Sequence, residues 1–181
     1  LGPEADGRVI EGLDFLDRAR RAEETAKGQE VIVVGGGNTA MDAARTALRL
    51  GARHVRIVYR RSREEMPAIR EEIEEALEEG VALEELVQPL RIFREKGATM
   101  LTCQRMKLAE PDADGRRRSV PHVGEDSHFD LRCDRVILAL GQSADVSILP
   151  EGAEVREGKA LVGMTSSPVF LSNARRAVGS G

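Results

Sequence analysis

The chain has 181 residues, enough to bury a sizeable core in one domain, and its net charge of −4 gives no reason to expect nucleic acid or a membrane surface as partner. With no Trp, one Tyr and four Phe the core must be aliphatic, and no apolar run approaches the ~20 residues of a membrane-spanning helix. Cys103 and Cys133 stand far apart outside any C-x-x-C, which excludes a redox dithiol or cysteine metal cluster and predicts buried free thiols in a reducing cytosol. No secretory signal is visible at the start.

Val9, Leu13, Leu16, Ala19 and Ala22 recur at three-and-four spacing, with Ile10 and Phe15 beside that stripe. The spacing predicts an amphipathic helix over 9–26, interrupted early by Gly12 and stopped by Lys27-Gly28. Residues 1–28 therefore read as a helical linker region.

Val31 to Val34 is the first predicted strand, and Thr39 to Leu50 a helix closed by Gly51. Between them lies Gly35-Gly36-Gly37-Asn38-Thr39-Ala40. Gly35 permits a tight turn, Gly37 lets backbone approach a pyrophosphate, and Ala40 takes the third, helix-packing position of G-x-G-x-x-G/A. The helix then opens with unpaired N–H groups and a partial positive charge, suited to phosphate. His54 to Tyr59 is the second strand, and it ends in Arg60 and Arg61. A carboxylate there would accept from a ribose 2′-OH, as NAD requires; two guanidinium groups suit a 2′-phosphate instead. The expected nucleotide is NADPH.

Ser62 to Pro67 reads as a loop and Ala68 to Glu79 as a helix, with Ile69, Ile73, Ala76 and Leu77 inward and its glutamates on a solvated face. After Gly80, Val81 to Leu86 is a third strand. The order βαβαβ predicts right-handed crossovers and a parallel sheet. Leu90 to Arg94, Met100 to Leu108 and Phe129 to Cys133 then form an antiparallel excursion before a final strand, Arg135 to Leu140. The fold class is α/β: a Rossmann-like parallel sheet with an antiparallel β excursion, in three layers. Beyond Gly141-Gln142 only Lys159 to Val162 and Val169 to Leu171 are strand-like.

Other features carry plainer readings. Arg116 to Arg118 follow the turn signal Asp114-Gly115 and read as an exposed basic turn. His54, His122 and His128 lack metal-ligand spacing. Asp42, one helical turn beyond Asn38, is expected to help order the glycine turn rather than move a proton.

Glycine string Gly35 to Arg45, then Tyr59-Arg60-Arg61, Glu65-Met66-Pro67-Ala68, Glu79-Gly80-Val81, Glu110 to Arg118 and Ala139 to Gln142 together resemble the NADPH-binding half of the glutamate synthase small subunit family. Relatives of that family include the flavin-containing part of dihydropyrimidine dehydrogenase. The resemblance covers most of residues 9–165. It implies an NADPH domain inserted into an FAD domain, with electrons passing from NADPH to FAD and on to iron–sulfur clusters. By position, Gly35, Gly36, Gly37, Asn38, Thr39 and Ala40 would face the pyrophosphate. Arg60 and Arg61 would hold the 2′-phosphate, with Arg63 a further candidate. Ala139, Leu140, Gly141 and Gln142 would line the nicotinamide side.

Departures from the family pattern are equally informative. An upstream FAD fingerprint and cluster cysteines are not found here, and Val169-Phe170 is followed by Leu-Ser-Asn-Ala rather than Gly-Asp. The expectation is a cofactor domain, 29–142, with residues 143–181 returning toward an FAD domain outside this chain. Such a domain would bind NADPH without FAD and be inactive alone. Its implied partners are the FAD-binding domain of the same polypeptide and a large amidotransferase, synthase or other electron-accepting subunit. A non-catalytic NADP(H)-sensing module is the competing class. An FAD-binding Rossmann domain ranks lower because Arg60 stands where it needs an acid, and a thioredoxin-reductase-like enzyme lower still for want of a C-x-x-C.

Overall fold

The computed structural model describes residues 8–95, 98–110, 117–124 and 126–140, together with three short strands at 154–156, 159–161 and 169–170. In chain order the elements are β1 (Val9–Glu11), α1 (Gly12–Arg20), β2 (Glu30–Val34), α2 (Asn38–Arg49), β3 (His54–Val58), a 3-10 turn (Arg63–Glu65), α3 (Arg70–Glu78) and β4 (Ala82–Glu84). There follow β5 (Val87–Glu95), β6 (Ala98–Leu108), β7 (Ser119–Pro121), β8 (His128–Cys133), β9 (Arg135–Leu138), β10 (Glu154–Arg156), β11 (Lys159–Leu161) and β12 (Val169–Phe170).

A five-stranded parallel sheet runs in the order β1-β9-β2-β3-β4. Because β2 is covered on both faces, Val31 to Val34 are apolar without alternation. Val31 and Val33 pack with Phe15 of α1, Ala40, Ala43, Ala44 and Ala47 of α2, and Ile73 of α3. Ile32 and Val34 face the other way, onto Leu101, Cys103 and Cys133 of the antiparallel layer. That layer is built from β5, β6, β7 and β8, with β12 added at the edge of β5. The three expected layers are therefore present: helices, parallel sheet, antiparallel sheet. The fully buried alanines of α2 let the helix ride close over the strands.

Differences from the sequence reading have local causes. Residues 9–11 form an edge strand parallel to β9, pairing Val9 with Val136 and Ile10 with Ile137, rather than the start of a helix. Val9 joins one core and Ile10 the other, as strand alternation demands. Three residues are too few to show that period. With the helix starting at Gly12, its buried anchor is Phe15, and Leu13 is left 47% exposed. Ala22, at φ 56, ends α1 early: Glu23 N–H bonds the Arg18 carbonyl at 2.9 Å and Ala22 N–H that of Ala19 at 3.1 Å, a left-handed helix stop.

Ile69, expected inward, is 54% exposed, since it precedes α3 as its N-cap. The glutamates of α3 and of its C-cap, Glu79, do more than meet solvent. Arg45 of α2 reaches Glu72, Glu75 and Glu79 at 2.9, 2.8 and 2.7 Å. The Arg45 hydrogen bond holds the Glu79 carboxyl below its ordinary value, and Glu79 in turn raises Arg45 further above its own. Both cysteines are free and buried, and burial pushes each thiol up to about 12. Among the described residues no helix is long and apolar enough to cross a membrane.

Candidate functional site

In a parallel α/β sheet the ligand crevice opens where the chain runs from one strand to opposite sides, at the carboxyl ends. Here that point is β2: β3 lies on one side of it and the late strand β9 on the other. A cleft of about 310 Å³ occupies the position.

Its first rim is the glycine turn. Gly35 has φ +144, and a Cβ on it would run into the carbonyl oxygen of Ala139 at the end of β9. Gly36 lies against Tyr59, where a Cβ would stand 2.5 Å from the ring. A Cβ on Gly37 would meet nothing within 4 Å. The three glycines thus have different reasons. Two are required by protein packing, and the third faces open space where a ligand can come close. Gly37 is also the N-cap of α2 and has no side chain to bond the first-turn N–H groups. The first turn of α2 holds no acid, whereas those of α1 and α3 hold Asp14 and Glu71-Glu72. An anion is the partner such an end favours.

The second rim is the basic turn that follows β3. Tyr59, Arg60, Arg61 and Glu65 line the cleft there. Tyr59 is tied on all sides. Its N–H bonds the Glu84 carbonyl at 3.0 Å, its carbonyl accepts from Val87, and its hydroxyl donates to the Glu65 carbonyl at 2.9 Å. Ser62 and Glu65 form a capping box, with the Ser62 N–H and hydroxyl at 3.3 and 3.2 Å from Glu65 Oε2. The Ser62 hydroxyl, aided by a backbone N–H, Arg117 and Arg63, holds the Glu64 carboxyl below its ordinary value. Leu86, at φ 55, donates its N–H to the Arg61 carbonyl and accepts from Met106, so the bend out of the parallel sheet is fastened to this turn.

Apolar Val34, Val58, Pro89 and Leu140 complete the walls, with Ala139. From sequence alone Tyr59 has no role at the site and Pro89 is passed over. A proline inside a strand signals a bulge, and the β5–β6 register does shift between Pro89 and Arg91. That signal could have pointed to the position.

Of the residues expected at the site, Gly35, Gly36, Gly37, Arg60, Arg61, Ala139 and Leu140 line one cleft. Asn38 sits at the start of α2, and its Oδ1 accepts the Ile69 N–H at 2.9 Å. Thr39 packs against the α1 start, its Cγ2 standing 3.1 Å from where a Gly12 Cβ would lie. Ala40 is fully buried beneath the turn. Arg63 turns toward α3, 3.5 Å from Glu74. Asp42 is exposed, and Gly141 and Gln142 lie outside the described residues. Among the described residues no acidic, cysteine or histidine cluster could hold a metal.

Residues 2–165 match the pyridine nucleotide-disulphide oxidoreductase family. The chain is 49% identical over 142 residues to the beta subunit of an NADPH-Fe(3+) oxidoreductase of Geobacter sulfurreducens, covering 77% of this chain and 21% of that protein. It is 49% identical over 158 residues to the beta subunit of an NADP(+)-dependent formate dehydrogenase of Moorella thermoacetica, covering 84% and 22%. The small chain of glutamate synthase [NADPH] from Escherichia coli is 44% identical over 120 residues, covering 64% and 24%. The chain thus spans about a fifth to a quarter of the length of these relatives. Among solved structures, Mycobacterium tuberculosis FprA in complex with NADPH superposes with a TM-score of 0.57 at 16% identity, covering 73% of this chain and 44% of that one. A thioredoxin reductase of T. acidophilum does so with 0.52 at 15%, covering 87% and 45%. At such identities these two establish likeness of fold.

Proposed function

This chain belongs to the pyridine nucleotide-disulphide oxidoreductase family, and on that premise we propose that it is the NADPH-binding domain of a flavin-dependent oxidoreductase. The observation that carries the reading is the placing of Arg60 and Arg61 in one cleft with the glycine turn, at the sheet's switch point. A ribose-binding carboxylate would be needed there for NAD. Two guanidinium groups offer paired donors to a 2′-phosphate. Gly35, Gly36 and Gly37, with the start of α2 at Asn38, Thr39 and Ala40, would cradle the pyrophosphate. Ala139, Leu140, Gly141 and Gln142 would flank the nicotinamide, and Arg63 would add a more distant positive charge.

When bound, NADPH supplies the hydride. The chain's own share is to bind and orient the nucleotide, and Val34, Val58, Pro89 and Leu140 would keep water from one side of it. Residues 29–142 would form the nucleotide domain, 1–28 its lead-in and 143–181 a return toward the FAD-binding domain. The hydride acceptor, FAD, would be held elsewhere in the polypeptide, so this chain alone would bind and not turn over. Several relatives are named as subunits or chains of NADP-linked enzymes. That supports an electron-accepting partner subunit; we further propose onward transfer through iron–sulfur clusters to a large synthase or similar subunit, in the cytoplasm.

Calorimetric titration with NADPH and NADH tests the assignment: NADPH should bind more tightly, and equal affinity would sink it. Replacing Arg60 and Arg61 by alanine should weaken NADPH selectively, each charge-assisted contact contributing ~1.5–3 kcal/mol.

A further inference from the structure

The basic turn contains a carboxylate where a phosphate is expected. Glu65 lines the cleft beside Arg60 and Arg61. Its side chain is 19% exposed and its Oε1 lies 3.4 Å from Nε of Arg117, which is itself 44% exposed. Arg117 comes from the antiparallel layer, just ahead of β7. The chain is anchored there by the Arg118 carbonyl, which accepts the Ala109 N–H at 2.8 Å. Glu65 cannot simply turn away, because its Oε2 caps Ser62 and its carbonyl holds Tyr59 against Gly36.

We infer that Arg117 is a positioning residue for nucleotide selectivity: it neutralises Glu65, so that this carboxylate can order the basic turn without repelling a 2′-phosphate. The inference rests on the NADPH reading above. A nucleotide without that phosphate brings no charge to this end of the cleft, so the charge of Glu65 does not repel it. A nucleotide with it meets Glu65 either paired with Arg117 or without that cation. At about 12 Å from a phosphate and an effective dielectric of about 20, one unit of charge is worth about tenfold in affinity. A charge that tunes the selectivity of Arg60 and Arg61 thus lies well beyond the glycine–arginine motif in sequence, on a different layer of the fold.

The test is a double-mutant cycle on the intact protein, titrated with NADP+ and NAD+ so that nothing is reduced during the measurement. Arg117→Ala should weaken NADP+ about tenfold and leave NAD+ within about twofold. Arg117→Lys, which keeps the charge, should retain most of the affinity. In a Glu65→Gln background, Arg117→Ala should cost NADP+ no more than about twofold. The Arg117→Ala loss should also shrink as salt is raised. If Arg117 only fastens the hairpin, both nucleotides weaken alike, or the loss persists unchanged beside Glu65→Gln. Either result overturns the inference while wild-type preference for NADP+ stands. A wild type that binds NADP+ no better than NAD+ overturns the nucleotide assignment and the inference together.

Discussion

The glycine turn at residues 35–37 and the basic turn at residues 60–65 leave neighbouring strands of one sheet, yet they keep their shapes by different means. The first is held by exclusion on top of a few backbone hydrogen bonds. Gly35 presses on the Ala139 carbonyl, Gly36 on the Tyr59 ring, and any added atom collides. The second is held by attachment, through the Ser62–Glu65 box, the Tyr59 hydroxyl, the Glu85 carboxylate on the Arg63 N–H and the Arg117 ion pair. Exclusion makes a rigid cradle for a ligand part that every dinucleotide shares. Attachment by charged groups makes a rim whose preference can be tuned.

If that contrast holds, substitutions in the glycine turn should separate stability from binding residue by residue. Gly35→Ala should do most damage, costing about 3 kcal/mol or more, because a strained φ adds to a backbone clash. Chemical denaturation would show it, and a near-normal midpoint would mean the Ala139 contact is not what fixes the turn. Gly36→Ala should cost about 1–3 kcal/mol, since a ring can give more than a carbonyl. Tyr59→Ala in the same chain should remove most of that penalty; an unchanged penalty would disprove the cause given. Gly37→Ala should leave stability within about 0.5 kcal/mol. Its effect should appear as weakened NADPH and NADH binding alike, and a variant that binds normally would show that no ligand approaches there.

A smaller effect should separate the turns by pH. Glu64 has a lowered carboxyl, so its contribution is fully present above the ordinary value of 4.5 and is lost as pH falls through the depressed one. Amide protection at Ser62 to Met66, relative to intrinsic exchange at each pH, should fall over that range before protection at Gly35 to Gly37 does. Simultaneous loosening would mean the two turns are not held independently of charge.

What could be read in the chain divides along the same line. Val31 to Leu50 was legible because everything that shapes it is local: a β-branched run, glycines at fixed offsets, and a helix whose alanines recur on one face. Arg60 and Arg61 were legible by their distance from those glycines. Edge strand β1 was not, since three residues show no period and its partner, β9, lies more than a hundred positions away. Ile69 misled because it fits the helical spacing but lies one residue before the helix begins. Arg45 gathering three glutamates, Pro89 reaching the cleft and Arg117 reaching Glu65 all join distant segments. Composition supplies the charges for these contacts, but only the sheet order and its second layer bring them together.

Two hydrogen bonds tie the glycine turn to the lead-in of α3: Ala68 N–H to the Gly36 carbonyl at 3.1 Å, and Ile69 N–H to Asn38 Oδ1 at 2.9 Å. The cradle is thus shared by two successive βα units, and neither can be inherited or transplanted without the other. A graft of residues 31–50 into a foreign scaffold would arrive with Asn38 Oδ1 lacking its donor, the Ile69 N–H. One that also carried residues 59–69 would bring the latch along with the lock.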